Sequence, residues 1–216
     1  GVISVGSGSY TEIRPPSLQI PEKIYVSYQK AASLKKKIIV GTRPQNLVAY
    51  FPMDESQGLL AEDAISGKKA NLVGGTSWVN GVIGSAIHFN GTNAYLATGL
   101  KAEDINVDGK RARTISFWTK VEGNPRNDSG FYGYGSLLNT DGANQYWALR
   151  RIDNSSYTRF QSEHWGWGPW ISHGSSLLNV WSHIVHSYDG SNMLLYRDGN
   201  LIYSAARAEI GTGNQV

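Results

Sequence analysis

The sequence predicts an all-β fold, a two-sheet antiparallel sandwich of jelly-roll type that follows an extended N-terminal arm. The first observation is composition: 216 residues include 25 Gly, 12 Tyr and 7 Trp, with only 17% charged residues. Such a composition is typical of short strands joined by tight turns. The second is periodicity, because strand-like runs recur along the chain with almost no helical period between them. The third is a C-terminal series of Asp-Gly turns that predicts hairpins.

The arm, residues 1–45, carries seven Lys and Arg against two Glu, while residues 46–216 carry thirteen against fifteen. Early Gly, Ser and Pro residues predict an irregular, extended start. Two strand-like runs follow at residues 23–28 and 36–40, and residues 29–37 favour a short helix. The basic arm suggests an anionic partner. However, no aromatic residues interleave with its one lysine cluster, Lys35 to Lys37, to stack on bases, so no nucleic-acid partner is expected.

The body, residues 46–216, is predicted as one sandwich domain. An apolar run at residues 47–51 predicts its first strand, and residues 85–89 and 94–98 flank a turn at 90–93. Alternation over residues 114–121 predicts a half-buried strand. The C-terminal third predicts a three-stranded meander over residues 181–188, 193–197 and 201–204, because its Asp-Gly and Gly-Asn turns supply the positive φ that tight hairpins need.

Several classes of protein are excluded by what the sequence lacks. There is no Cys, which excludes a disulfide framework and a thiol nucleophile. No run of 18 apolar residues occurs, so a soluble chain without membrane insertion is expected. The first thirty residues lack the pattern of a signal peptide, which indicates a chain that is not secreted by that route or is already processed.

Sequence blocks in the body are similar to a known family. They are LVAYFPMDESQG at residues 47–58, WVNGVIGSA at 78–86, HFNG at 88–91, TISFW at 114–118, WSH at 181–183, and YDG and YRDG at 188–190 and 196–199. In this order they resemble LamG-like jelly-roll domains of the concanavalin A-like lectin/glucanase superfamily. The resemblance implies a concanavalin A-like sandwich, with Phe89, Trp118 and Trp181 as large apolar groups between its sheets.

The resemblance also implies that a last strand is missing, because family members continue beyond the meander whereas little sequence follows residue 204. Either the chain is a fragment, or the strand-like segments of the arm fill that place in the same molecule or in a neighbour. We take strand donation by the arm as the hypothesis.

Aromatic residues between positions 131 and 170 form the candidate ligand site. Trp165 and Trp167 would share one strand face, with Gly166 between them. Flat Trp and Tyr faces suit sugar rings. Hydrogen bonds to the sugar hydroxyls could come from Arg150, Arg151, Arg159, Gln161 and His164. A sheet covering or a protein interface uses the same residues, so both interpretations stay open. The predicted ligand-binding residues are Tyr132, Tyr134, Trp147, Arg150, His164, Trp165, Trp167 and Trp170.

The sequence offers few candidate metal ligands and no pair of catalytic carboxylates. Many relatives bind Ca²⁺, and Asp54, Asn90 and Asn93 match positions near such an ion, although turn formation explains the same residues. No cofactor is required, and a structural Ca²⁺ is the one candidate.

The glucanase mechanism needs two carboxylates on one face. Adjacent acidic pairs such as Asp54 and Glu55 point to opposite faces, so the sequence predicts no enzyme.

The predicted function is non-catalytic recognition of a surface glycan or another extracellular polymer, at an extracellular, cell-surface or virion-surface location. One alternative is a structural subunit of a surface assembly, such as a virion decoration, tail fibre or filament, which docks neighbouring subunits through its arm. Another is an accessory domain of a larger carbohydrate-active enzyme. The same architecture also serves in cell adhesion, so fold alone does not choose among them.

Overall fold

The computed structural model describes strands and connections but no helix among residues 2–5, 8–13, 24–27, 37–39, 46–122, 129–135, 146–154, 157–163, 168–172 and 176–206. The chain divides into two compact units. We call Gly1–Leu72 with Thr76–His88 the N-terminal unit, and Val73–Gly75 with Phe89–Val216 the C-terminal unit. The boundary predicted after residue 45 stays a prediction.

The N-terminal unit begins with a four-stranded antiparallel sheet in the order β1-β2-β3-β4, comprising Val2–Val5, Gly8–Ile13, Ile24–Ser27 and Lys37–Ile39. Strands β3 and β4 lie in the two predicted runs. Strands β1 and β2 correct the prediction of irregular chain, because both segments contain residues of high strand propensity and their backbones pair, with Ile3 opposite Tyr10. These strands pair with one another. Donation of an arm strand to the body, in the same molecule or in a neighbour, stays a prediction. The predicted helix lies outside the described residues, apart from Lys37 in β4.

Two hairpins complete the described strands of this unit: β5 (Leu60–Glu62) with β6 (Lys69–Val73), and β7 (Ser77–Asn80) with β8 (Ser85–His88). The strand predicted over residues 47–51 is absent from the structure, which is a correction. The backbone of Tyr50 bonds to a turn instead, donating to Asp63 Oδ1 at 2.7 Å and accepting from the Ala64 amide at 2.8 Å.

The C-terminal unit contains β9 (Tyr95–Ala97) and two four-stranded sheets. The front sheet has the order β11-β12-β13-β14, with strands Ser129–Gly135, Tyr146–Asn154, Tyr157–Glu163 and Trp170–Ser172. The back sheet has the order β10-β15-β16-β17, with strands Arg113–Lys120, Trp181–Tyr188, Asn192–Arg197 and Asn200–Ala206. All neighbouring strands in both sheets are antiparallel.

The hydrophobic core of this unit lies between the front and back sheets. Burial alternates along β15 and β16, so every second residue points inward, as the period of two in a strand requires. The front sheet contributes Trp147, Leu149 and Phe160, and the back sheet contributes side chains that include Ile184 and Leu195. The predicted fold class, an all-β antiparallel sandwich, is therefore confirmed.

The predicted C-terminal meander is confirmed as β15, β16 and β17. Asp189 closes its first turn, because its Oδ1 accepts the amides of Ser191 and Asn192 at 2.8 and 2.6 Å. Gly190 and Gly199 adopt φ values of 99° and 82°, in the region that glycine favours. Among the described residues, no helix is long and apolar enough to cross a membrane.

Candidate functional site

The candidate site lies on the outer face of the front sheet, opposite the core. The register places Gln161 beside Arg150 on β12 and beside Trp170 on β14, and Arg159 opposite Ser172. Paired residues in a sheet share a face, and the intervening residues Phe160 and Ile171 point into the core. These pairings bring four side chains from three strands together: Arg150, Arg159, Gln161 and Trp170.

Trp170 presents the largest exposed surface at this site, with 58% of the residue accessible. Its ring is held by Arg159, whose guanidinium carbon lies 5.3 Å from the ring centroid. A cation over an indole face restricts the ring and leaves much of its apolar surface in water. The arrangement can present a flat aromatic surface with a polar group beside it.

Arg150 and Gln161 form the polar floor of the site. Arg150 donates from Nε and Nη2 to Gln161 Oε1, at 3.0 and 2.7 Å. The Gln161 amide nitrogen in turn donates to the Gly168 carbonyl at 3.3 Å. Gln161 lies on the outer face but is nevertheless buried. Its hydrogen bonds with Arg150 fix the orientation of the Arg150 guanidinium.

Three predicted ligand residues point into the sandwich instead. Trp147 is fully buried in the core, so its assignment to a ligand platform is corrected. Tyr132 and Tyr134 pack against the same core. Burial raises the pKa of the Tyr132 hydroxyl well above its usual value and raises that of Tyr134 to about 12. Both phenols therefore stay neutral at physiological pH, inside the fold.

The interior polar residues form a hydrogen-bonded group around His186. Trp147 stacks on the imidazole at 4.1 Å, and the Tyr132 hydroxyl bonds to His186 Nδ1. Ser162 Oγ lies 3.1 Å from His186 Nε2 and 2.8 Å from the Met193 sulfur. Because a thioether only accepts, the Ser162 proton points to Met193 and Nε2 carries the ring proton. Both ring nitrogens of His186 therefore have a hydrogen-bond partner, which suits a structural role.

Arg113 closes one end of this interior. Its Nη1 donates to the carbonyls of Val107 and Gly109 at 2.8 and 2.9 Å. The guanidinium carbon also lies 5.1 Å from the Trp147 ring and 5.3 Å from the Tyr188 ring. Burial lowers the pKa of Arg113, yet an arginine remains charged in proteins. This cation belongs to the packed interior and not to the outer face.

His164, Trp165 and Trp167 lie outside the described residues, between the ends of β13 and β14. Their assignment to the ligand site stays a prediction. Of the predicted ligand residues that the structure describes, Arg150 and Trp170 share the outer face. Arg159 and Gln161 join them; sequence reasoning named both as hydrogen-bonding groups without including them in the site.

A second aromatic surface was missed, because Trp118 was assigned to the space between the sheets. Trp118 is instead 50% exposed on the outer face of the back sheet, and Phe89 is also exposed. Ile115 and Phe117 pack on the core, so Ser116 and Trp118 point outward. The alternation along this strand already contained that signal, since Trp118 shares the face of polar Ser116.

The predicted calcium ligands already accept or donate hydrogen bonds within the protein. Asn90 Oδ1 accepts the amides of Thr92, Asn93 and Ala94 at 2.9, 3.1 and 3.2 Å, while its Nδ2 donates to Asn93 Oδ1 at 2.7 Å. Asp54 Oδ1 accepts the Ser85 amide at 3.1 Å. Across the described part of the chain, no three His, Asp or Glu side chains are grouped to hold a metal. Turn formation accounts for the contacts of Asn90 and Asn93, while Asp54 accepts a backbone amide 31 residues away. Calcium binding stays a prediction.

A family model described as the concanavalin A-like lectin/glucanases superfamily, Laminin_G_3, matches residues 90–215, more than half of the chain. The protein therefore belongs to the concanavalin A-like lectin/glucanase superfamily, and the resemblance drawn from sequence blocks is confirmed.

A solved structure shares the fold. It is domain 4 of AbnA, an extracellular GH43 arabinanase from Geobacillus stearothermophilus, in complex with arabinotriose. The TM-score is 0.54 at 16% identity, and the match covers 78% of this chain and 79% of that domain. Among curated proteins, no significant match is found.

Proposed function

We propose that this protein is a non-catalytic carbohydrate-binding module that recognises an extracellular or surface glycan on the outer face of the front sheet. The observation that carries the proposal is the exposed Trp170 ring held by Arg159 beside the bonded pair of Arg150 and Gln161. A sugar ring packs its apolar face on Trp170, and its hydroxyls bond the polar side chains at the edge.

The comparison with AbnA supports this choice of ligand class. That structure is an arabinanase domain in complex with arabinotriose, and it shares the sandwich fold. An accessory domain of a larger carbohydrate-active enzyme is the form of the proposal that this likeness favours, and an extracellular location agrees with it. The likeness rests on the fold, so the identity of the sugar has to come from experiment.

The alternative of a structural subunit in a surface assembly rested on the arm. The strands of that segment form a sheet of their own. No comparison bears on assembly through it, and docking of neighbouring subunits stays a prediction.

The test is binding to a panel of neutral polysaccharides that includes arabinan, measured by affinity electrophoresis and calorimetry. Trp170→Ala should weaken binding by about tenfold or more, because an exposed aromatic anchor carries much of a binding energy. Tyr95→Ala is the matched control, since Tyr95 is an aromatic of similar exposure, 55%, on β9 and outside both sheets. Equal affinity of Trp170→Ala and the unaltered protein would contradict the proposal.

A further inference from the structure

We propose that the outer face of the back sheet is a second glycan-binding surface, one that takes a neutral oligosaccharide. It extends the proposed function to a different sheet and different residues. By register, its outward positions are Thr114, Ser116, Trp118 and Lys120 on β10, Trp181, His183, Val185 and Ser187 on β15, Leu194 and Tyr196 on β16, and Leu201 and Ser204 on β17.

An immobilised aromatic platform lies at one end of this back face. The Trp118 ring packs against His183 with centroids 5.2 Å apart and planes 35° apart. His183 is fixed in turn, because its Nε2 bonds to Ser116 Oγ at 2.8 Å and its backbone amide bonds to Asp198 Oδ1 at 2.8 Å. Half of Trp118 remains exposed. Binding to such a ring costs little ordering entropy, because the ring is already held in place.

A second indole continues the platform. The Lys120 ammonium lies 5.6 Å from the Trp181 ring centroid, and Trp181 pairs with Lys120 across the strands. Tyr196, next to Val185, and the exposed Leu201 extend the apolar area toward β17. Strands lie about 4.8 Å apart and same-face residues about 7 Å apart along a strand, so Trp118 and Trp181 are diagonal neighbours. His183 and Val185 lie between these indoles and Tyr196 on the same face.

Hydroxyl groups line the other end of the same face. Thr114 Oγ1 and Ser187 Oγ lie 2.8 Å apart, and Ser116 follows Thr114 on the same strand face. Each hydroxyl both donates and accepts, and so does each hydroxyl of a sugar. Flat aromatic rings followed by a row of hydroxyls therefore match the apolar face and polar edge of a sugar ring.

The charges on this face favour a neutral ligand. Among the outward positions given above, Lys120 is the permanently charged side chain, and it forms an ion pair with Glu122. An anionic polymer would therefore find Lys120 as its one cationic partner among these positions, and the charge of Lys120 is already neutralised by Glu122.

The experiment follows the indole N–H signals of the full chain by ¹H–¹⁵N NMR, assigned with single Trp→Phe variants. The probes are arabinohexaose and cellohexaose as neutral oligosaccharides and hexagalacturonate as an acidic one. We expect a neutral hexasaccharide to shift the Trp118 and Trp181 signals saturably, also in Trp170→Ala. Trp118→Ala should weaken this event about tenfold or more and leave the Trp170 response intact.

The other outcomes overturn the inference in distinguishable ways. Neutral probes that shift Trp170 but leave Trp118 and Trp181 unmoved would contradict the back face and support the front face. Probes that move no Trp signal at all would contradict both proposals. A response to hexagalacturonate alone would contradict the neutral ligand. Self-association in sedimentation that Trp118→Ala removes, without a sugar response, would assign the surface to a protein partner.

Discussion

At the scale of single residues, the tryptophans of this chain lie in opposite environments, some in the core and some at the surface. Trp147 is fully buried against His186, whereas Trp170 is 58% exposed beside Arg159. Loss of the first leaves a cavity in a close-packed core and costs stability, while loss of the second removes a surface group. Tryptophan substitutions in this protein must therefore be compared for stability before they are compared for binding.

Asp63 is the buried carboxylate on which the turn after β5 depends. Its Oδ1 accepts the amides of Tyr50 and Ile65 at 2.7 and 3.1 Å, and its Oδ2 accepts from Ser66 Oγ at 2.5 Å and from the Ser66 amide at 3.2 Å. Burial by itself raises the pKa of Asp63. The bonds from the Ser66 hydroxyl and from the three amides outweigh burial, so the net pKa is lowered.

The first prediction concerns the pH dependence of this turn. We expect Asp63→Ala to lower the free energy of unfolding by about 2 to 3 kcal/mol at pH 7, because three amides and a hydroxyl lose a charged acceptor. The folded pKa lies below the unfolded value of about 3.9, so the ionised form stabilises the fold above pH 4. This contribution is lost as the pH falls through the folded pKa.

Urea unfolding of the full chain between pH 7 and pH 2 measures the effect. Glu103→Gln is the matched control, since Glu103 is an exposed carboxylate 3.8 Å from Lys101 and should change stability little. A deficit of Asp63→Ala that stays constant down to pH 2 would contradict the assigned role of the charge.

At the scale of elements, the meander and the alternating strand β10 follow directly from local sequence. Asp189 and the glycines at 190 and 199 specify their turns through contacts a few residues apart. Residues 47–51 show the opposite case. Their apolar run favours a strand, but Tyr50 bonds to Asp63, thirteen residues away, and no pattern in the run itself indicates that partner.

The second prediction concerns the connection after β6. Gly74 and Gly99 have similar positive φ values, 74° and 63°, but different surroundings. A Cβ on Gly74 would lie 2.4 Å from the backbone oxygen of Asn93, whereas a Cβ on Gly99 would meet nothing within 4 Å. Gly99→Ala should therefore cost about 1 kcal/mol, from its backbone conformation alone.

Gly74→Ala carries the same conformational cost together with a backbone clash, so we expect it to destabilise the protein by clearly more. Thermal and urea unfolding of the two variants, measured side by side, provide the comparison. Equal destabilisation by both substitutions would show that the close approach to Asn93 is relieved at no cost.

At the scale of the whole molecule, the two proposed surfaces lie on opposite sides of one sandwich, because each is the outer face of a sheet whose inner face lines the shared core. Two surfaces that face apart cannot bind one short sugar together. They can bind two segments of polymer, which raises avidity on a repetitive glycan without new contacts.

The third prediction is that the chain cross-links a soluble neutral polysaccharide that it binds. Turbidity or light scattering should rise and then fall as the protein-to-polymer ratio increases. Trp118→Ala and Trp170→Ala should each abolish cross-linking while retaining binding through the other face. Cross-linking that persists in both single variants would show that the two sheet faces are not its source.

The sequence by itself determined the all-β class, the C-terminal meander and the alternation of faces along the strands, because each depends on local turn chemistry or on a period of two. The superfamily followed from the resemblance of its ordered sequence blocks to a known family. The tertiary structure decided which face of each strand points inward. Alternation places Trp118 and Ile115 on opposite faces of their strand, but which face is buried depends on the sheet packed against it. Trp118 is therefore exposed although it was expected to be buried, and Trp147 is buried although it was expected to be exposed.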